Sequence, residues 1–271
     1  MLKTERRNEK TTHIDTMSTE QMLAVMQEEN RNAINAVGAE LRSIQVAVDG
    51  IFERMKDGGR LFYVGCGTSG RIGVMDAAEC PPTYGVSPDL VVGIIAGGDK
   101  ALRTAVEGFE DSHESGYLDL SKYALTDKDS VVGLSVAGGA AYVLGAFSAA
   151  KEAGAFTVAI TSNADSPLSQ VAMVSICPDT GAEVVTGSTR MKAGTSQKVI
   201  LNMISTSVMI KMGHVYENFM INLKPTNIKL RRRMIFIVSE LTGSSSEESE
   251  KLLMENDFNI RKAVNSYKQC P

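Results

Sequence analysis

Ile34, Val37, Leu41, Ile44, Val48, Ile51 and Met55 recur at alternating steps of three and four residues. Such spacing runs one narrow apolar stripe along a helix and buries it against another helix. Two uses fit the stripe: a helix face turned to the chain's own core, or a contact between two copies of the chain. Upstream, Ser18 with Gln21 three residues on forms a capping box, and Met17 with Met22 can staple the chain around it. A helix is therefore expected to begin near Ser18, and Lys56-Asp57-Gly58-Gly59 stops the pattern.

The pattern then changes character. Short apolar runs at 61–64, 90–96, 130–136, 156–160 and 174–177 read as strands. Helical stretches fall between and after them, at about 69–79, 140–152 and 191–212. Apolar strands alternating with helices predict an α/β fold, a parallel sheet covered on both faces. From Asn227 the tail is helical, with turn signals at 243–246 and near Asn256, and predicts a small bundle with its own minor core. The expected division is an arm and helix over 1–50, the sheet domain over 51–214 and a helical region over 215–271.

Composition narrows the partners. A net charge of −4 favours neither nucleic acid nor an anionic membrane. No apolar run approaches the length of about 18 residues that a membrane helix needs. The N-terminus, Met1-Leu2-Lys3-Thr4-Glu5-Arg6-Arg7, lacks the apolar core of a signal peptide, so a cytoplasmic protein is expected. Cys66, Cys80, Cys177 and Cys270 show no CxxC pairing and read as reduced thiols. His13, His113 and His214 are scattered, and no metal is expected.

Candidate chemistry begins at Gly65-Cys66-Gly67-Thr68-Ser69-Gly70-Arg71, which follows a strand and opens a helix. Gly65, Gly67 and Gly70 satisfy GxGxxG formally. A dinucleotide site also needs an acidic residue about 20 residues on, at the end of the next strand. Here that strand ends near Gly97-Gly98-Asp99, too late. Thr68 and Ser69 set two hydroxyls beside the free amides of a helix N-terminus, which suits a phosphate monoester. A dinucleotide site and a plain tight turn remain the other readings.

Three stretches carry a family resemblance: GCGTSGRIGVMDAAECPPTYGV from Gly65, AVEGFEDS from Ala105 and GAEVVTGSTRMKAGTSQK from Gly181. The chain resembles the N-acetylmuramic acid 6-phosphate etherases over nearly its whole length, beginning at Thr4-Glu5-Arg6-Arg7-Asn8. The third stretch is shared with the glucokinase regulatory proteins. The resemblance implies a sugar-isomerase (SIS) fold with a five-stranded parallel sheet flanked by helices. It also implies a homodimer whose neighbouring subunits complete each other's sites, and a sugar phosphate as the small-molecule partner. The implied reaction needs no cofactor: the lactyl ether at C3 is cleaved to N-acetylglucosamine 6-phosphate and D-lactate. Glu79 is similar in position to the family's acid and Asp111 to its base. The substrate contacts expected are Gly67, Thr68, Ser69, Gly70, Arg71, Gly138, Glu183, Ser188, Thr189 and Lys192.

The chemistry is consistent with that assignment. In the open-chain sugar, C2 lies beside the C1 aldehyde, so its proton is acidified and can be removed as lactate leaves C3. One ionised and one protonated group are needed near neutral pH, and two carboxyls in unlike surroundings can supply them. Pro81 disfavours helical geometry at Cys80, so the helix is expected to end beside Glu79. A helix C-terminus and burial would both favour a protonated Glu79. Asp111 lies in the polar run Glu110-Asp111-Ser112-His113-Glu114, where ionisation is easier. Lys192, in the first turn of its helix, opposes the helix dipole, which suggests that Lys192 or Arg190 serves an anion.

One stretch departs from the family, and the tail is short beside it. Where the family reads close to Ala-Ser-Gly-Arg-Thr-Pro-Tyr-Val, this chain has Val136-Ala137-Gly138-Gly139-Ala140-Ala141-Tyr142-Val143. Two hydroxyls and one arginine are missing from what should be a second phosphate loop. That loss points to a second reading, a regulator that binds sugar phosphate without turnover. A third is an aldose–ketose isomerase, since related isomerases use the glutamate of a segment resembling Gly181-Ala182-Glu183 as a base.

Overall fold

The structure is a computed structural model that describes residues 2–106 and 108–269. Cys270 lies outside the described residues, as does Glu107 of the second shared stretch. The chain forms two compact units, Met1–Ala78 with Asp89–Val208, and Glu79–Pro88 with Met209–Pro271.

In the first unit, three short 3-10 turns between Lys3 and Thr16 lead to α1 (Thr19–Ala39) and α2 (Leu41–Met55). The Ser18 side chain accepts from the Gln21 amide while the Gln21 side chain accepts from the Ser18 amide, the expected capping box. The apolar stripe is not one continuous helix face, because the chain turns at Glu40 between the two helices. Ile44, Val48, Ile51 and Met55 are buried, whereas Ile34 and Leu41 are exposed. The buried half packs on the sheet. A Cβ at Gly50 would lie 2.5 Å from the Phe156 ring, so only glycine lets α2 come this close.

The sheet orders its strands β2-β1-β3-β4-β5, all parallel: β1 (Leu61–Gly65), β2 (Val91–Ile95), β3 (Ser130–Leu134), β4 (Phe156–Ile160) and β5 (Val174–Ile176). Every residue of β1, β3 and β4 is buried, as apolar parallel strands covered on both faces require. The helices of this layer are α3 (Gly67–Tyr84), the one-turn α4 (Lys100–Arg103), α5 (His113–Ser121), α6 (Ala141–Glu152), the short α7 (Pro167–Val171) and α8 (Lys192–Lys211). Tyr142, Val143, Ala146 and Ala150 of α6 join Phe62, Val64 and Val131 of the strands in one apolar core. At the amino ends of the central strands, buried Asp129 accepts from the Arg60 amide at 2.8 Å and from its guanidinium at 2.9 and 3.1 Å.

Helix α3 corrects the expected stop beside Glu79, for it continues through Pro81 and Pro82 to Tyr84. The prolines forgo two backbone hydrogen bonds, yet Cys80 and Tyr84, one turn apart, are both buried, so packing outweighs local propensity. Gly85, at positive φ, ends the helix with its amide on the Pro81 carbonyl at 2.9 Å.

The second unit contains a two-residue hairpin, β6 (Val215–Tyr216) with β7 (Phe219–Met220), that the apolar pattern did not announce. Three helices follow: α9 (Ile228–Thr242), α10 (Ser246–Glu255) and α11 (Ile260–Gln269). Met234, Ile237, Val238, Leu253, Ile260 and Val264 form the expected minor core. Asn227 caps α9, Gly243 ends it in the left-handed conformation, and Ser245 with Glu248 makes a second capping box. No helix among the described residues is long and apolar enough to cross a membrane.

Candidate active site

β1 is followed in the sheet by β2 on one side and β3 on the other, so the strand order reverses between β1 and β3. Ligands of open parallel sheets bind in the crevice at the carboxyl ends of such a strand pair. A cavity of about 300 Å³ lies there, lined by Cys66, Gly67, Thr68 and Ser69 after β1 and by Ser135, Val136, Ala137 and Ala140 after β3. Glu5, Glu110, Leu134 and Thr189 complete the wall, to which no lysine or arginine contributes among the described residues.

The glycines explain how the loop forms. A Cβ at Gly70 would sit 2.6 Å from both the Gly65 carbonyl oxygen and Ile95, so helix and strand meet backbone to backbone. Gly67 takes a φ of +51°, the left-handed region that other residues avoid. The amides of Gly67, Thr68 and Ser69 then have no partner one turn back. They make the positive end of the α3 dipole, a site for a dianion built without a cation.

Of the residues expected to touch substrate, Gly67, Thr68, Ser69 and Thr189 come together at this cavity. The others are placed differently. Gly70 donates its amide to the Cys66 carbonyl at 3.2 Å. Arg71 is pinned by the carbonyls of Leu102 at 3.2 Å and Thr104 at 3.4 Å. Gly138 turns back on Ser135, its amide 3.1 Å from Ser135 Oγ, and its absent Cβ would collide with Ser166. Ser188 is half-buried in the turn before α8, where its carbonyl accepts from Met191.

Glu183 and Lys192 serve α8 itself. Glu183 is completely buried and accepts from the amides of Lys192 and Ala193, each at 3.0 Å, thereby capping the helix. The anion that Lys192 meets is the carboxylate of Glu29 on α1, and both side chains are buried. Burial alone would push the Glu29 carboxyl up, but hydrogen bonds from Lys192 and Asn8 and the charges of Lys192 and Lys10 hold it below its usual range. Asn8 also donates to the Ala182 carbonyl at 3.1 Å, and Thr11 to that of Val184 at 2.8 Å. The N-terminal arm thus fixes the segment that carries Glu183.

Asp111 is exposed and follows Glu110, which lines the cavity. The Cys66 thiol is pushed up to about 12, by burial first and then by the negative charges of Glu110 and Asp111. It therefore remains a thiol at neutral pH. Glu79 is exposed on α3, more than one turn before the helix ends, rather than buried beside a helix terminus as expected. No three His, Cys, Asp or Glu side chains gather as a metal site among the described residues.

Sequence reasoning passed over Glu5, Ser135, Glu110 and Gln197. Glu110 and Gln197 lie within the stretches that carry the resemblance, but only the fold brings Glu110 to the cavity and Gln197 to Ser69. Ser135 stands just ahead of the divergent loop and supplies a hydroxyl close to where that loop lacks them.

A parallel five-stranded α/β sheet with an amide- and hydroxyl-lined cavity at its switch point is the arrangement expected of the SIS class. Residues 43–151 match the glucokinase regulatory protein N-terminal SIS domain family. A phosphoheptose isomerase from Francisella tularensis shares the fold at a TM-score of 0.56 and 16% identity, covering 72% of this chain and 100% of that one. A phosphoheptose isomerase from Neisseria gonorrhoeae does so at 0.51 and 19%, covering 70% and 97%. Among curated relatives, the N-acetylmuramic acid 6-phosphate etherase of Clostridium beijerinckii is 50% identical over 97% of this chain and 86% of its own length. That of Caldanaerobacter subterraneus subsp. tengcongensis is 51% identical over 96% and 85%, and that of Salmonella agona 47% over 97% and 89%. The chain belongs to the N-acetylmuramic acid 6-phosphate etherase family.

Proposed function

We propose that this protein is a carbon–oxygen lyase that cleaves the D-lactyl ether of N-acetylmuramic acid 6-phosphate. The observation that carries the reading is the cavity at the β1/β3 switch point, in a chain half identical to etherases over nearly its whole length. The 6-phosphate sits against the amides of Gly67, Thr68 and Ser69, with the hydroxyls of Thr68, Ser69, Thr189 and Ser135 around it. Helix dipole and hydrogen bonds supply this chain's share of the recognition.

Asp111 removes the C2 proton of the open-chain sugar. Glu79 gives its proton to the ether oxygen as the C3–O bond breaks, and D-lactate departs. An unsaturated aldehyde with a C2–C3 double bond remains. Glu79, now ionised, takes a proton from water as the hydroxide adds to C3, and Asp111 returns a proton to C2. Substrate and one water thus become N-acetylglucosamine 6-phosphate and D-lactate, and both carboxyls regain their starting states. The protein acts in the cytoplasm as a homodimer whose subunits complete each other's sites; exposed Ile34 and Leu41, on the stripe that α2 otherwise buries, support the dimer.

The test follows lactate release and deuterium uptake at C2 in heavy water on the same samples. Asp111→Asn abolishes both. Glu79→Ala blocks lactate release and leaves some exchange, because base and aldehyde are intact. Loss of exchange in Glu110→Gln but not in Asp111→Asn would move the base to Glu110. Sugar-phosphate binding by the unaltered chain without any lactate release would establish a regulator instead.

A further inference from the structure

The cavity holds a hydroxyl whose proton points the wrong way for an anion. Ser69 Oγ donates to Gln197 Oε1 at 2.9 Å, and a hydroxyl has one proton to give. Gln197, near the start of α8, is almost completely buried, and its Nε2 has no hydrogen-bond partner. In this arrangement a donor group lies buried without an acceptor, and a second donor that borders the phosphate loop is turned away. Buried unsatisfied donors are costly and call for an explanation.

We infer that Gln197 is a positioning residue for the phosphate site: its amide turns over when the phosphate arrives and aims the Ser69 hydroxyl at it. Half a rotation about the last side-chain torsion exchanges the two ends of the amide, and that torsion is broad and two-fold. Nε2 then donates to Ser69 Oγ, and the Ser69 proton swings to a phosphate oxygen. One neutral hydrogen bond is given up for two, of which one is charge-assisted. An acceptor replaces an unsatisfied donor group in the buried pocket behind. The third shared stretch thus reaches the substrate from α8, through a side chain that does not line the cavity.

This inference rests on the proposed function, because it needs the phosphate at Ser69. The probes are N-acetylglucosamine 6-phosphate and, as the phosphate-free comparison, N-acetylglucosamine, titrated into the full chain by calorimetry. Ser69→Ala should weaken binding of the phosphorylated sugar by about tenfold or more, the worth of one hydrogen bond to a charged group. Gln197→Met keeps length without donors and should weaken it by about three- to tenfold, raising KM while kcat stays within about twofold. Gln197→Glu can only accept, so it should weaken binding at least as much as Ser69→Ala. The double variant Gln197→Met/Ser69→Ala should bind no worse than Ser69→Ala alone. In the unaltered chain, the Gln197 side-chain NH₂ resonance should shift with the phosphorylated sugar and stay put with the plain one. That measurement holds even if a variant fails to fold. Failure of the unaltered chain to bind in a phosphate-dependent way would overturn the functional reading and this inference together. Phosphate-dependent binding with an unmoved Gln197 resonance, or with Gln197→Met and Ser69→Ala effects that multiply in full, would overturn this inference alone.

Discussion

The ammonium of Lys192 closes on the carboxylate of Glu29, with only 3% and 4% of the two side chains exposed. The pair joins α1 to the first turn of α8, where a cation otherwise opposes the helix dipole. Removing one partner leaves an uncompensated buried charge. Lys192→Met should therefore lose about 3–5 kcal/mol of stability, whereas Glu29→Leu/Lys192→Met should recover most of it. Urea unfolding of the two variants measures the difference. A Lys192→Met chain as stable as its parent, with a raised KM, would return Lys192 to the substrate.

Glu183 offers a second separation of structure from chemistry. Its two oxygens each accept one amide at the start of α8. Glu183→Ala should cost about 1–2 kcal/mol for the lost cap, and folded enzyme should still release lactate at close to the parental kcat. A loss of turnover of several orders of magnitude in stable protein would make Glu183 a base, as the isomerase reading holds.

The divergent loop splits into separable parts. Ala140 is the N-cap of α6 and makes no side-chain cap, so Ala140→Thr should stabilise the chain by about 1 kcal/mol. Ala137 lines the cavity and a Cβ at Gly139 meets nothing within 4 Å, so Ala137→Ser and Gly139→Arg fit without displacing the core. Together they return donors to the phosphate, and KM should fall while kcat changes less. Unchanged KM in the folded variant would show that this loop does not contact phosphate here.

Acid should destabilise the fold through two carboxyls. Burial alone would push Asp129 up, but hydrogen bonds from Arg60 and Thr126 hold it below its ordinary value of 3.8, as Lys192 and Asn8 do for Glu29 against 4.5. A carboxyl held low in the folded state binds protons more readily when unfolded. Its stabilisation is complete above those ordinary values and is lost as pH falls through the lowered ones. The stability gap between the parent and Asp129→Asn should stay level from pH 6 to about pH 5 and narrow as unfolding is measured further down toward about pH 3. A gap that widens with acid would contradict the sign.

Much of this was legible in the chain alone. Five apolar runs separated by helical stretches determine a parallel sheet, because alternation of that kind leaves few other ways to bury both faces. The glycine-rich turn carries much of its own conformation, since Gly67 takes a positive φ and Gly70 meets the Gly65 carbonyl five residues back. The Ser18 capping box is equally local.

Tertiary structure decided what depends on partners distant in sequence. Pro81 argues for a helix end, yet burial of Cys80 and Tyr84 carries α3 on to Gly85. The apolar stripe has one period but two fates, because the turn at Glu40 sends one half to the sheet and leaves Ile34 and Leu41 exposed. Lys192 carries a charge that looks available until Glu29, 163 positions away, is seen to neutralise it. Gln197 shows no role until Ser69 is found 2.9 Å from it. Local sterics and periodicity act over a few residues and are written in the chain. Whether a charge or a hydroxyl remains free for substrate depends on which neighbour reaches it first, and only the folded chain sets that.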